Sequence, residues 1–150
     1  MNKSLFSSKS VLWETPQVLF DALNATYSFT TDACAIKSNA KCKHFYAPEM
    51  DGLKQQWRGK CWMNPPYGRN QTGLWVEKAF KESRNGCLVV ALLPARTDTK
   101  WFHQYIYNKP GVSVEFIKGR LKFSDSKNAA PFPSMIVVFQ KPLSKEDNNR

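Results

Sequence analysis

"GCLVVALLP", residues 86–94, is an unbroken apolar run held between Gly86 and Pro94. A strand with one wet face alternates apolar and polar residues, and this run does not alternate. It reads as a strand buried on both faces, the kind found in a parallel sheet covered by helices. Everything else is placed around it.

Before the run, Leu74 to Ser83 reads as a helix with Trp75, Ala79 and Phe80 on one face. Ahead of that helix, "GKCWMNPPYG" (residues 59–68) is a strand running into a proline loop. Near the start, "TPQVLFDALNATY" reads as a helix: Thr15 caps it, Pro16 takes its first position, and Val18, Leu19, Ala22 and Leu23 form its stripe. "SFTTDACA" reads as a short strand ending in a polar turn, and His44 to Ala47 as another short strand inside loop-rich sequence. After the run, "TKWFHQYIY" reads as a helix with Trp101, Tyr105 and Ile106 facing inward. "VSVEFIKGRLKF" and "SMIVVF" are two closing strands, joined by the polar loop "SDSKNAAPFPS".

This order predicts a three-layer α/β fold with a mostly parallel sheet and an antiparallel C-terminal strand. Residues 13–140 are expected to form one domain, with 1–12 and 141–150 as flexible ends. No repeat and no separate target-recognition domain is visible. Ligands of such sheets bind at the carboxyl ends of the strands, and the proline loop sits at one of them.

Bulk properties narrow the function. Hydrophobic residues make up 42% of the 150, too many for a disordered chain. No apolar run approaches the roughly 20 residues of a membrane span. The start lacks the apolar stretch of a signal peptide, so a cytoplasmic location is expected. The net charge of +10 favours a polyanionic partner, most often nucleic acid, with simple solubility as the alternative. Cys34, Cys42, Cys61 and Cys87 form no C-x-x-C pair, and His44 and His103 lie far apart. Neither a disulfide nor a metal site is expected.

The loop "MNPPYG" (residues 63–68) carries the chemistry. Pro65 and Pro66 fix two φ angles and bias their predecessors toward extended backbone. Neither can donate a backbone hydrogen bond, so the loop is rich in fixed acceptors. Such an arrangement suits an exocyclic amine on a planar base. If Asn64 Oδ1 and the Pro65 carbonyl each accept one N–H, the nitrogen can pyramidalise and aim its lone pair at an electrophile. Tyr67 could stack on a base flipped out of the duplex. A methyl sulfonium is already activated, so positioning supplies much of the rate. The bland alternative is a turn that happens to contain Asn-Pro-Pro-Tyr.

From Trp13 to Phe139 the chain resembles the short phage-type DNA N-6 adenine methyltransferases, a compact branch of the Dam-like enzymes. The blocks that carry the resemblance are "WETP", "TDACA", "NAKC", "DGLKQQW", "WMNPPYG", "LLPARTDTKWFH", "GRLKF" and "APFPSMIVVF". It implies a Rossmann-like S-adenosylmethionine-dependent methyltransferase fold, reduced in size. It also implies S-adenosylmethionine as donor, S-adenosylhomocysteine as product, and a flipped-out adenine in DNA as acceptor. The catalytic set is then Asn64, Pro65, Pro66 and Tyr67. Thr15 and Pro16, with Trp13, fall near the donor's methionine end. Asp32, Ala33 and Cys34 follow the first strand and face the donor, and Asp51, with Gly52 and Leu53, holds its ribose or adenine, Glu49 being the rival.

Two departures stand out. "DACAIK" has no glycine, and 32 positions separate Asp32 from Asn64, so a strand–helix unit is missing or shrunken. Arg96 and Asp98 follow the buried strand and face the site, where Arg96 can contact DNA. Trp101 and His103 read as packing and surface. Lys118, Arg120 and Lys122 alternate, so a regular strand would put all three on one DNA-facing surface. The alternatives are methylation of cytosine 4-amino groups, RNA or protein glutamine, or a degenerate non-catalytic nucleic-acid binder. A homodimer is compatible with the sequence but not required by it.

Overall fold

The computed structural model of the chain describes residues 13–143. The expected flexible ends, 1–12 and most of 141–150, therefore lie outside the described residues. In chain order the regular elements are α1 (Gln17–Tyr27), β1 (Thr31–Asp32), β2 (His44–Phe45), β3 (Lys60–Met63), α2 (Thr72–Arg84), β4 (Leu88–Pro94), α3 (Lys100–Tyr105), β5 (Val112–Phe116) and β6 (Ser134–Phe139). Two short 3-10 turns, Pro48–Met50 and Gly52–Lys54, lie between β2 and β3.

The strands form one six-stranded sheet in the order β2-β1-β3-β4-β6-β5. β1 runs parallel to β2 and β3, and β3 parallel to β4. β6 is antiparallel to both β4 and β5, which makes it the reversed strand of a mostly parallel sheet. The central run behaves as its composition dictates, since Val89 to Leu93 are fully buried. Val89, Ala91 and Leu93 pack with Val76 and Ala79 of α2 and Phe102 and Ile106 near α3. Val90 and Leu92 point the other way, toward Phe20 of α1, Trp62, Phe123 and Phe132. Each of the valine, leucine, isoleucine and phenylalanine side chains contributes about 1.5–3 kcal/mol by leaving water.

Several local expectations are corrected. Thr15 makes no cap hydrogen bond to α1, and Pro16 occupies the cap position in extended conformation instead of the first helical one. The helix buries Phe20, with Leu19, Leu23 and Tyr27 against the same core, while Val18 is 83% exposed and Ala22 is exposed. The apolar stripe is thus rotated toward the aromatic Phe20, which has more surface to bury. Near α3, Phe102 joins Ile106 in the core, a position the pattern did not single out.

The largest correction concerns "VSVEFIKGRLKF". The strand stops at Phe116, and Gly119 turns the chain with φ +76°. Lys118, Arg120 and Lys122 are exposed, but they do not share the face of a strand. The loop closes through the Ala130 N–H on the Leu121 carbonyl, 2.7 Å. It folds back because Phe123 and Phe132 both bury their rings on the α1 side of the sheet. That gain outweighs continued pairing at an edge strand.

Gly52 marks a tight junction between β1 and α2. A Cβ there would lie 2.4 Å from the Ala33 carbonyl oxygen and 3.0 Å from the Trp75 ring. Gly52→Ala should therefore destabilise the protein by roughly 1–3 kcal/mol, because the obstacle includes backbone. The check is urea unfolding: the midpoint falls with an unchanged slope. An unchanged midpoint would show that the junction yields freely.

Candidate active site

β3 delivers Asn64 to the carboxyl edge of the sheet. Its Nδ2 donates to the Trp13 carbonyl at 2.5 Å and to Thr15 Oγ1 at 2.9 Å. A carbonyl can only accept, so this contact fixes which end of the amide is nitrogen. Asn64 Oδ1 is buried and, among the described residues, has no hydrogen-bond partner. An unmet acceptor of this kind costs about 1–3 kcal/mol. The loop beyond is fastened to α2: Thr72 Oγ1 donates to the Pro66 carbonyl and accepts from the Gly68 N–H, each at 3.0 Å.

Tyr67 behaves differently from the sequence reading. It is 4% exposed, and its hydroxyl donates to the Leu92 carbonyl at 2.8 Å. Its ring meets Phe132 and Phe123 edge-on, with centroids 5.6 and 6.2 Å away. Burial pushes its pKa well above the ordinary tyrosine value. A stacking platform needs an open face, and here Tyr67 is a core residue instead.

Asn64, Pro65 and Pro66 line a narrow cleft of about 70 Å³. The structure brings Trp13, Thr15, Asp32 and Cys34 to the same cleft. It also brings Glu14, Asn39 and Lys41, which residue patterns had not flagged. Pro16, Ala33, Asp51, Gly52 and Leu53 do not line it. "DGLKQQW" has a local packing role. Asp51 Oδ1 accepts from the Leu53 N–H at 3.1 Å, and Trp57 Nε1 donates to the Gly52 carbonyl at 2.8 Å. Glu49 is exposed on the preceding turn.

Asp32 ends β1 almost wholly buried. Its Oδ1 accepts from the Cys34 N–H at 3.2 Å and its Oδ2 from the Lys41 N–H at 3.0 Å. Burial raises its pKa to about 6, against the lowering pull of those two hydrogen bonds and the Lys41 charge. Lys41 Nζ reaches across to Gln17 Oε1 at 2.7 Å.

A second, wider cavity of about 960 Å³ opens beside Tyr67 and Gly68. Arg96 lines it, together with Arg69, Lys100 and Trp101. Among the described residues its one acid is Glu77, held by the Tyr105 hydroxyl and by Lys81, which keep its pKa below the usual carboxylate value. Lys118, Arg120, Lys122 and Asp98 line neither cavity, and His103 Nε2 contacts the Thr97 carbonyl at 2.7 Å. Among the described residues, no cluster of three or more His, Cys, Asp or Glu could hold a metal, and no helix is long and apolar enough to cross a membrane. All four cysteines are free, with the Cys61 and Cys87 sulfurs 3.4 Å apart under the sheet.

Comparison with known proteins gives one consistent result. The model of the family described as DNA N-6-adenine-methyltransferase (Dam) matches residues 3–149. A DNA N-6-adenine-methyltransferase of Haemophilus phage HP1 is 32% identical over 138 residues, 86% of this chain and 78% of the relative. One of Escherichia phage T1 is 37% identical over 95 residues, 61% of this chain and 39% of the relative.

The raised pKa of Asp32 has a stability consequence. The fold favours its protonated form, so its contribution is complete below pH 4 and is lost as pH rises through about 6. The stability of the wild type relative to Asp32→Asn should therefore fall between pH 4 and pH 7, by up to about 3 kcal/mol. Chemical denaturation across that range measures it. A difference independent of pH would mean that Asp32 ionises in the fold as it does in water.

Proposed function

The chain belongs to the DNA N-6-adenine-methyltransferase (Dam) family, and on that premise we propose that it transfers a methyl group from S-adenosylmethionine to the 6-amino group of adenine in DNA, at Asn64. The observation that carries the residue assignment is the buried, unpartnered Asn64 Oδ1 at the end of β3. It is an acceptor with fixed direction, which an exocyclic amine can satisfy. The Pro65 carbonyl is the natural second acceptor, since the Pro66 carbonyl is committed to Thr72. Accepting both N–H groups frees the nitrogen lone pair from the ring. When bound, the donor supplies a methyl group already activated on a sulfonium. No side chain then needs to act as a strong base.

The cleft beside Asn64 suits one end of the donor. Glu14, Asp32 and Lys41 give it both signs of charge, as an amino-acid moiety requires. At about 70 Å³ it is too small for a nucleoside. We place that end against Trp13, Asp32 and Cys34. The nucleoside then lies outside, toward the junction of Ala33 with Asp51, Gly52 and Leu53. Pro16 acts from behind by setting the entry into α1. Read this way, the sheet is a reduced three-layer, Rossmann-like methyltransferase fold, with β6 as its reversed strand.

The proline loop forms a wall between two cavities, with Asn64, Pro65 and Pro66 on the cleft and Tyr67 and Gly68 on the wide side. We assign the wide cavity to the nucleotide strand. Arg69, Arg96 and Lys100 are there to meet phosphates, and Trp101 offers an aromatic surface. Asn64 is recessed, so an adenine reaches it only after leaving the helix stack.

Labelled methyl from S-adenosylmethionine should enter DNA as 6-methyladenine, and Asn64→Ala should lower the rate by about a hundredfold or more while donor binding persists. Label in cytosine alone, or in no DNA at all, would refute the assignment. Separately, Arg96→Ala and Lys100→Ala should each reduce the salt-dependence slope of DNA binding by about one. Slopes equal to wild type would remove both residues from the strand path.

A further inference from the structure

The Asn64 amide is held in one orientation by a segment that precedes the first helix. We propose that Thr15 is a positioning residue. With the Trp13 carbonyl it takes both N–H groups of Asn64, and so presents Oδ1 as the acceptor for the substrate amine. The inference rests on the reading of Asn64 given above and assigns Thr15 to the amide rather than to the donor.

The geometry leaves little choice. One N–H points at the Trp13 carbonyl and the other at Thr15 Oγ1, 2.5 and 2.9 Å from Nδ2. A flipped amide would set Oδ1 against a carbonyl oxygen, two acceptors with no proton between them. Thr15 is itself buried, with its side chain turned away from the helix it was expected to cap. The segment is anchored in turn by the late loop. Ser124 Oγ donates to the Thr15 carbonyl at 3.0 Å, and the Ser124 N–H to the Glu14 carbonyl at 3.1 Å. The Glu14 N–H donates to Asp125 Oδ1 at 3.2 Å. The Trp13 ring packs on Phe123 and Phe132, centroids 5.3 and 5.2 Å away. The reactive acceptor is thus set by contacts 49 and 51 positions earlier in the chain, and these by a loop more than 100 positions later.

The test compares Thr15→Val, which keeps the shape and removes the oxygen, with Thr15→Ser, which keeps the oxygen. Thr15→Val should lower kcat roughly tenfold with the donor KM unchanged, and Thr15→Ser should recover most of that loss. Ser124→Ala, one step further back, should lower kcat by about threefold. Two-dimensional amide spectra of the free protein give a second readout. One Asn64 side-chain proton should exchange with solvent faster in Thr15→Val and at the wild-type rate in Thr15→Ser. A raised donor KM with intact kcat would make Thr15 a donor contact and overturn the proposal. Equal loss in both Thr15 variants, or unchanged Asn64 exchange in Thr15→Val, would also overturn it. If the wild type methylates nothing, the exchange measurement still decides whether the lock exists.

Discussion

Val89 to Leu93 must be kept from water on both sides of the sheet, and that requirement arranges the rest of the molecule. One side is closed by α2 and α3, whose apolar faces lie over Val89, Ala91 and Leu93. Among the described residues the other has α1 alone as its helical cover, and one short helix does not span it. Aromatic rings complete the layer: Phe20, Trp62, Tyr67, Phe123 and Phe132 are all buried there. Rings suit the purpose because each buries a large area with few torsions to restrict. This is why the loop after β5 folds inward, and why Tyr67 lies inside.

The aromatic layer gives the proline loop its stiffness from below. Two prolines restrict the backbone, but they do not set where the loop sits relative to the sheet. Tyr67 does that through its hydrogen bond to the Leu92 carbonyl, and Thr72 does so from α2. Asn64 and Tyr67 stand three positions apart and do opposite things. One keeps a polar atom unmet, and the other meets its polar atom in the core. An unmet acceptor persists only where its surroundings are well fixed, so the second residue makes the first affordable in stability.

Much of this was readable in advance. The central strand, β3 with its loop, α2 and the reversed last strand follow from apolar patterning and turn residues alone. The union of Trp13, Thr15, Asp32, Cys34 and the Asn-Pro-Pro segment in one cleft also agrees with the sequence blocks. What could not be read depends on tertiary competition. The periodicity of "TPQVLFDALNATY" allows several stripes, and the rings of Phe29 and Trp62 packed on Phe20 select one of them. Lys118, Arg120 and Lys122 alternate as a strand would, but the pull of Phe123 and Phe132 toward the core is not encoded at those positions. Glu14 is an unremarkable polar residue until Ser124 and Asp125 fix its backbone, and Asn39 and Lys41 are so until Asp32 draws the Cys34–Lys41 segment over the cleft.

That last contact also accounts for the missing glycine in "DACAIK". A tight turn after a strand is often made by residues at positive φ, where glycine is at ease. None of residues 33–41 adopts positive φ. The turn is closed by a side chain instead: both Asp32 oxygens hold backbone N–H groups, at Cys34 and Lys41, and Asn39 Oδ1 holds a third at Ile36. A carboxylate can grip two amides seven positions apart, which lets a short segment fold back without the helix that would otherwise carry the chain away. Compactness here has a chemical cost, because the same carboxylate must be buried. The cleft beside Asn64 is therefore bounded on one side by a group whose charge and whose grip on the loop are linked. Protonation relieves its burial while weakening its hold on the two amides.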